Sequence, residues 1–179
     1  MESNNSPFRG LEGKVIFLIG FMGSGKTHWG RLWAIKGVFH FIDLDEQIER
    51  AVGKTVAQIF EEDGEDFFRQ KETEVLKSIK IIVPTIIACG GGTPCFNNNM
   101  EWMNKNGTTI YLKTTVPQIL ERVLQEKEKR PLLKNLNEAE IQFFIEKKLK
   151  EREPFYNQAA ITLLVNNLTE YTILEINNA

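Results

Sequence analysis

One octapeptide constrains this chain more than any other feature. Gly20-Phe21-Met22-Gly23-Ser24-Gly25-Lys26-Thr27 follows the apolar run Val15–Ile19 and stands at the start of a helical segment. The string fits G-x-x-x-x-G-K-[ST], and its place between a strand and a helix fits as well. Glycines let backbone N–H groups turn onto phosphate oxygens, and the helix N-terminus behind them adds a favourable dipole. Lys26 is then placed to reach the β- and γ-phosphates of a nucleotide, and the Thr27 hydroxyl to ligate Mg²⁺. His28 has no Cys or His at metal-ligand spacing and is expected as an exposed helical residue beside this cradle. Trp29, Leu32 and Trp33 have helical spacing and are expected to pack.

Further short, apolar, β-branched runs occur at residues 39–42, 85–88, 108–112 and 161–165, each of a length suited to a buried strand. Longer amphipathic segments separate them. Such alternation predicts a parallel sheet covered by helices on both faces, with ligands bound beyond the carboxyl ends of the strands. Helices are expected at about 26–36, 46–52, 56–62, 65–80, 116–126 and 138–151. Thr55 with Gln58, Thr115 with Gln118, and Asn137 with Glu140 carry the spacing of reciprocal helix caps, and Pro117 falls in a first turn where its missing N–H costs little. At 179 residues the chain is expected to form one domain. Residues 1–13 are expected as a flexible tail, and the charged stretch 127–137, with Pro131, as a mobile lid.

Charge and cysteine content narrow the partners. Lys plus Arg number 22 against 24 Asp plus Glu, a net charge of −2, so no global positive field favours nucleic acid or an anionic membrane. The early apolar run is far short of the roughly 20 residues that span a bilayer, and no basic leader precedes a signal-like stretch. A soluble cytoplasmic protein is therefore expected. Cys89 and Cys95, the two cysteines, make neither a disulfide framework nor a CxxC pair, and reduced thiols are expected.

Acids, glycines and arginines then gather near the predicted strand tips. The second strand runs into Asp43-Leu44-Asp45, and in an extended segment residues two apart project the same way. One acid is expected to hold Mg²⁺ and the other to accept a hydrogen bond from an attacking hydroxyl. The plainer alternative makes Asp45 the N-cap of the next helix and Asp43 a solvated loop acid. Gly90-Gly91-Gly92 follows the third strand at the same sheet edge, where residues without side chains let a ligand approach backbone N–H groups. Arg69 and Glu72 have the spacing of a helix-surface salt bridge, which alone is worth little. Arg130 lies in the expected lid, and Arg152 follows a basic helix.

In order along residues 14–156, these segments resemble the shikimate kinases, small P-loop enzymes that phosphorylate the 3-hydroxyl of shikimate with ATP. GFMGSGKT resembles the family's P-loop and Asp43-Leu44-Asp45 its D-x-D. GEDFFRQKE at 64–72 is similar to its G-E-x-x-F-R-x-x-E, and CGGG at 89–92 to its glycine triplet. RPLL at 130–133 resembles its lid signature and Arg152-Glu153-Pro154-Phe155-Tyr156 its R-x-x-x-Y.

The resemblance implies a three-layer α/β/α P-loop kinase fold: a five-stranded parallel sheet in the order 2-3-1-4-5, a small helical acceptor region after the second strand, and a lid. It implies that Asp45, Arg69, Gly90, Gly91, Gly92 and Arg152 hold shikimate, the two arginines taking its carboxylate through their planar donor forks, with Glu72 orienting Arg69. Gly23, Ser24, Gly25, Lys26, Thr27 and His28 would line the ATP site, joined by Arg122 near adenine and Arg130. Thr27 and Asp43 would serve Mg²⁺, and Lys26, Asp45 and Arg130 would carry the transfer. The expected partners are ATP and shikimate, with no nucleic acid and no membrane, and the expected state is a monomer. Two positions depart from the family pattern: Cys89 stands where Thr or another small residue is common, and His28 where a second Ser or Thr is common. Gluconate kinases and nucleoside monophosphate kinases share the small P-loop frame, and a nucleotide-binding regulator without catalysis is a third alternative. Shikimate-dependent ADP release separates them.

Overall fold

The structure, a computed structural model, describes residues 15–125, 133 and 136–178. The expected tail lies outside the described residues, as do Arg130 and all of the expected lid except Leu133, Leu136 and Asn137.

Strand β1 (Val15–Ile19) is buried along its whole length and divides its side chains between two cores. Val15, Phe17 and Ile19 join one apolar cluster, and Ile16 and Leu18 the other, as period-two alternation requires of a central strand. Strand β2 (His40–Asp43) pairs with β3 (Thr85–Ala88), β3 with β1, β1 with β4 (Thr108–Lys113), and β4 with β5 (Ile161–Leu164). All five are parallel, and their order is β2-β3-β1-β4-β5. The chain moves outward from β1 to β2, returns to β3, and then crosses to β4. The resulting switch point opens a crevice at the carboxyl ends of β1 and β3. There the Cys89 N–H donates to Leu18 O at 3.0 Å, which sets the first loop beside the glycine triplet.

On one face of the sheet, α1 (Lys26–Gly37) and the C-terminal α8 (Thr172–Asn178) pack Trp33, Ala34 and Ile173 onto Ile16 and Leu18. The Trp33 indole N–H donates to Thr169 O at 2.9 Å, so this buried polar group has its partner. The opposite face is covered by α5 (Asn99–Asn106), α6 (Val116–Gln125) and α7 (Glu138–Tyr156). Between β2 and β3 lie α2 (Leu44–Val52), α3 (Val56–Glu62) and α4 (Gly64–Ser78), the helical region expected after the second strand. The three-layer α/β/α arrangement and strand order match the expectation.

The local corrections have physical causes. Helix α5 escapes the sequence pattern because its N-cap, Asn98, adopts a left-handed conformation and makes no side-chain cap; buried Met100 and Met103 hold it instead. Helix α8 is likewise held by tertiary burial of Ile173. Helix α7 continues past residue 151 to Tyr156, with Pro154 in its last turn, where a proline removes a single donor. Both Thr55 and Asn137 form complete capping boxes. At Thr115 the N–H and hydroxyl both donate to Gln118 Oε1.

Candidate active site

The first loop turns as its glycines permit. Gly25, the N-cap of α1, has φ 88°, a left-handed conformation that a side chain would strain, and Gly23 has φ 74°. Lys26 Nζ folds back over the loop and donates to Gly20 O at 2.8 Å and Phe21 O at 2.9 Å. Ser24 is buried behind it, 3.5 Å from that ammonium. Arg122 Nη1 donates to Gly23 O at 2.8 Å, so α6 braces the loop from the far side. His28 is exposed on the first turn of α1, edge-on to Trp29 with ring centroids 5.2 Å apart.

The two aspartates meet this loop, although not through an extended strand. Asp43 ends β2 and caps α2: its Oδ1 accepts from the Asp45 N–H at 3.1 Å, and its Oδ2 from the Thr27 hydroxyl at 2.9 Å. Asp45 belongs to the first turn of α2. The alternative assignment of caps is thus reversed, and a tight helix start, rather than strand periodicity, brings both acids to one crevice. Asp45 Oδ1 is buried with no hydrogen-bond partner among the described residues. Burial foremost, then the neighbouring charges of Asp43 and Glu72, push its pKa up to about 6 against the opposing pull of Lys26.

Around the glycine triplet the charged side chains close in tightly. A Cβ on Gly90 would lie 2.9 Å from Glu72 Oε1 and 3.2 Å from Asp45 Oδ1. One on Gly91 would lie 3.3 Å from Arg152 Nη1, and one on Gly92 only 2.5 Å from Arg69 Nη2. The triplet therefore serves its protein neighbours first: its bare backbone is the surface on which Asp45, Arg69 and Arg152 converge. Glu72 is fully buried and accepts from Arg69 Nη1 at 2.8 Å, so the pair expected at the surface is an interior one. The Arg69 guanidinium stands 4.3 Å from the Phe96 ring centroid, and its Nε and Nη2 donate to Glu65 Oε1 at 3.1 and 3.0 Å. Arg152 lies 5.5 Å from the Phe21 ring centroid, which places it over the phosphate loop. One turn further along α7, the Tyr156 hydroxyl donates to Gly91 O at 2.5 Å and ties the helix end to the triplet.

A cavity of about 680 Å³ joins the two halves, with Lys26, Thr27, Asp43, Asp45, Gly90 and Gly91 on its wall. Gly23, Gly25, His28 and Arg122 line it as well. Arg69, Gly92 and Arg152 meet at the triplet beside it. No motif or spacing in the chain points to Arg31 and Gln125 on this wall, nor to Thr93, whose hydroxyl lies 2.5 Å from Glu72 Oε1. Glu65 is visible as an acid four residues before Arg69, the spacing of helix-face neighbours. Cys89 also touches the cavity, but burial holds its thiol far above the usual range, so it is no nucleophile.

A phosphate cradle and a cage of opposed charges on one sheet edge define a P-loop phosphotransferase with a small-molecule acceptor. The family model for shikimate kinase matches residues 22–176. A shikimate kinase from Parabacteroides distasonis is 43% identical over 167 residues, covering 93% of this chain and 96% of that one. The crystal structure of shikimate kinase from Bacteroides thetaiotaomicron superposes with a TM-score of 0.87 at 36% identity, covering 93% of this chain and 99% of that one. Shikimate kinase from Acinetobacter baumannii, in complex with shikimate, gives 0.82 at 33% identity, covering 97% and 95%. The chain belongs to the shikimate kinase family, and its chemistry is ATP-dependent phosphoryl transfer to shikimate.

Proposed function

We propose that shikimate rests against the glycine loop with its 3-hydroxyl on Asp45 and its carboxylate between Arg69 and Arg152, facing the γ-phosphorus of ATP in the cradle. The products are shikimate 3-phosphate and ADP, on the route to chorismate and the aromatic amino acids. The observation that carries this reading is the buried, unpartnered Asp45 Oδ1. Leaving a buried acceptor unsatisfied is costly, and a ligand hydroxyl supplies the missing donor. Gly90, Gly91 and Gly92 form the floor of the acceptor site. Arg69 and Arg152 supply the only kind of side chain that meets a carboxylate with a planar donor fork.

On the donor side, Gly23, Ser24, Gly25, Lys26, Thr27 and His28 hold ATP, with Arg122 near the base and Arg130 reaching the transferring group. Lys26, now bonded to loop carbonyls, swings to the phosphoryl oxygens. Mg²⁺ fits the donor set. Thr27 Oγ1 and Asp43 Oδ2 lie 2.9 Å apart on the cavity wall, hard oxygens of the kind this ion takes in small number alongside water and phosphate. When bound, it neutralises charge on the β- and γ-phosphates. Asp45 orients the acceptor hydroxyl and accepts its proton, and a pKa near 6 keeps it mostly ionised at neutral pH while leaving it basic enough for that task. Lys26 and Arg130 then stabilise the loose, highly charged transition state. We infer action as a single-domain monomer, and ATP as donor supports a cytoplasmic setting. Among the described residues no helix is long and apolar enough to cross a membrane.

The test is Asp45→Asn in a coupled ADP-release assay. The expected outcome is a kcat lower by about 10²- to 10⁴-fold, the range for loss of a general base. A kcat within about twofold of the parent would remove Asp45 from the reaction.

A further inference from the structure

Behind Glu72, the acceptor cage has a third layer that neither the motifs nor the mechanism uses. Glu72 is fully buried, and a carboxylate can only accept hydrogen bonds, so each of its oxygens needs a donor. Arg69 Nη1 satisfies Oε2 at 2.8 Å. Oε1 is satisfied by the hydroxyl of Thr93, itself fully buried, at 2.5 Å and from 21 residues further along the chain. Thr93 is the first residue after the glycine triplet, and its N–H donates to Gly90 O at 3.1 Å, which closes that loop.

The same residue is also held from behind. Asn99 Nδ2 donates to Thr93 O at 3.1 Å and to Thr73 Oγ1 at 3.0 Å, and the Thr73 hydroxyl donates to Arg69 O at 3.0 Å. Arg69, Glu72, Thr93, Asn99 and Thr73 thus form a closed circuit of hydrogen bonds that begins at the guanidinium of Arg69 and ends on its own carbonyl. Buried networks of this kind gain rigidity as their members are satisfied, and in this circuit only Asn99 Oδ1 lacks a partner among the described residues. Thr93 is the member that joins α4 to the glycine loop.

We propose that Thr93 is a positioning residue of the acceptor site: its hydroxyl fixes the Glu72 carboxylate, and Glu72 fixes the Arg69 fork at the angle the shikimate carboxylate needs. The inference rests on the reading of Arg69 as a carboxylate ligand. Thr93 itself touches neither substrate. Its loss therefore weakens acceptor binding and leaves the nucleotide side alone.

Steady-state kinetics of the full-length Thr93→Val, Thr93→Ser and Arg69→Ala enzymes, with shikimate and ATP each varied, test the idea. Valine keeps the shape and removes the donor. The expected result is a shikimate KM about tenfold higher for Thr93→Val, the worth of one hydrogen bond to a charged group, with the ATP KM within about twofold. Thr93→Ser restores the donor and returns the shikimate KM to within about threefold of the parent. An unmoved shikimate KM in Thr93→Val overturns the proposal, as does a parallel rise in both KM values, which marks a general loss of structure. If the valine enzyme does not fold, Thr93→Ala, which also lacks the donor, decides: a shikimate KM raised about tenfold with the ATP KM within about twofold supports the role, and an unmoved shikimate KM overturns it. Arg69→Ala separates the two levels. If it raises the shikimate KM while Thr93→Val does not, Thr93 alone loses its role; if neither does, the carboxylate clamp falls as well.

Discussion

The nucleotide half of the site and the acceptor half are built on opposite principles. The cradle is one contiguous stretch, residues 20–27, whose working parts are backbone N–H groups and a single lysine over them. The acceptor cage draws Asp45 from α2, Arg69 and Glu72 from α4, the glycines from the end of β3, and Arg152 from α7. Its working parts are charged side chains drawn in from water, of which Arg69 and Glu72 pair with each other while Asp45 Oδ1 is left open. A backbone cradle tolerates change in the side chains around it, whereas a cage of interior charges depends on every partner, because an uncompensated buried charge is severely destabilising.

That contrast breaks most directly at the arginines. Arg69→Ala and Arg152→Ala are each expected to raise the shikimate KM by about 10²-fold or more, as truncating one partner of a buried, hydrogen-bonded charge pair does, with ATP binding to the free enzyme unchanged. Titration of acceptor at saturating ATP, beside nucleotide binding measured without acceptor, checks both halves. An unaltered shikimate KM would remove the clamp.

The next effect is on stability. The Asp45 pKa in the fold, about 6, lies above the ordinary value of 3.8, so its charged form opposes folding. That penalty is full above about pH 6 and is relieved as pH falls toward 4, where the folded state already prefers the proton. Asp45→Asn is therefore expected to stabilise the nucleotide-free protein at pH 7.5 by up to about 3 kcal/mol, or about 5–10 °C in Tm. The gain shrinks through pH 6 and disappears near pH 4. Thermal melts of both proteins across this range measure it, and a gain independent of pH would contradict the burial of a carboxylate as its cause.

Gly92→Ala sharpens the comparison further. Gly92 has φ −92°, which alanine adopts without strain, but the new methyl would stand 2.5 Å from Arg69 Nη2. Arg69 must shift while keeping its buried bond to Glu72, so the shikimate KM is expected to rise about tenfold, a loss comparable to one charged hydrogen bond, with a fall in Tm of about 2–4 °C as that pair is strained. Kinetics and a melt on the same preparation distinguish this from a folding defect.

The smallest effect is at Glu65. It occupies the Nε and Nη2 edge of Arg69 from an exposed position, so the acceptor carboxylate competes with a solvent-screened ion pair of modest worth. Glu65→Gln is expected to lower the shikimate KM by about two- to threefold. A raised KM would instead give Glu65 a supporting role in binding.

The same difference decides what is legible in the sequence. The cradle is visible at once, because a backbone site needs glycines at fixed offsets and these are contiguous. The strand order is legible only through resemblance, since short apolar runs specify strands but not their neighbours. Strand periodicity points to Asp43 and Asp45 for a partly mistaken reason: it suggests a shared direction that a helix cap provides. The Arg69–Glu72 spacing suggests a weak surface pair, and only burial makes it an interior one. Helices α5 and α8 lack local signals, being held by methionine and isoleucine side chains sunk into the two cores.

By itself, then, the chain determined a phosphate-binding turn, alternating strands and helices, and the residue types a kinase of this family needs. Those properties depend on local geometry and periodicity, which act over a few residues. Tertiary structure decided which charges are buried, which oxygens share a donor, and that Thr93 closes a circuit with residues more than twenty positions away. Burial and long-range hydrogen bonding exist only once the sheet brings distant segments to one edge.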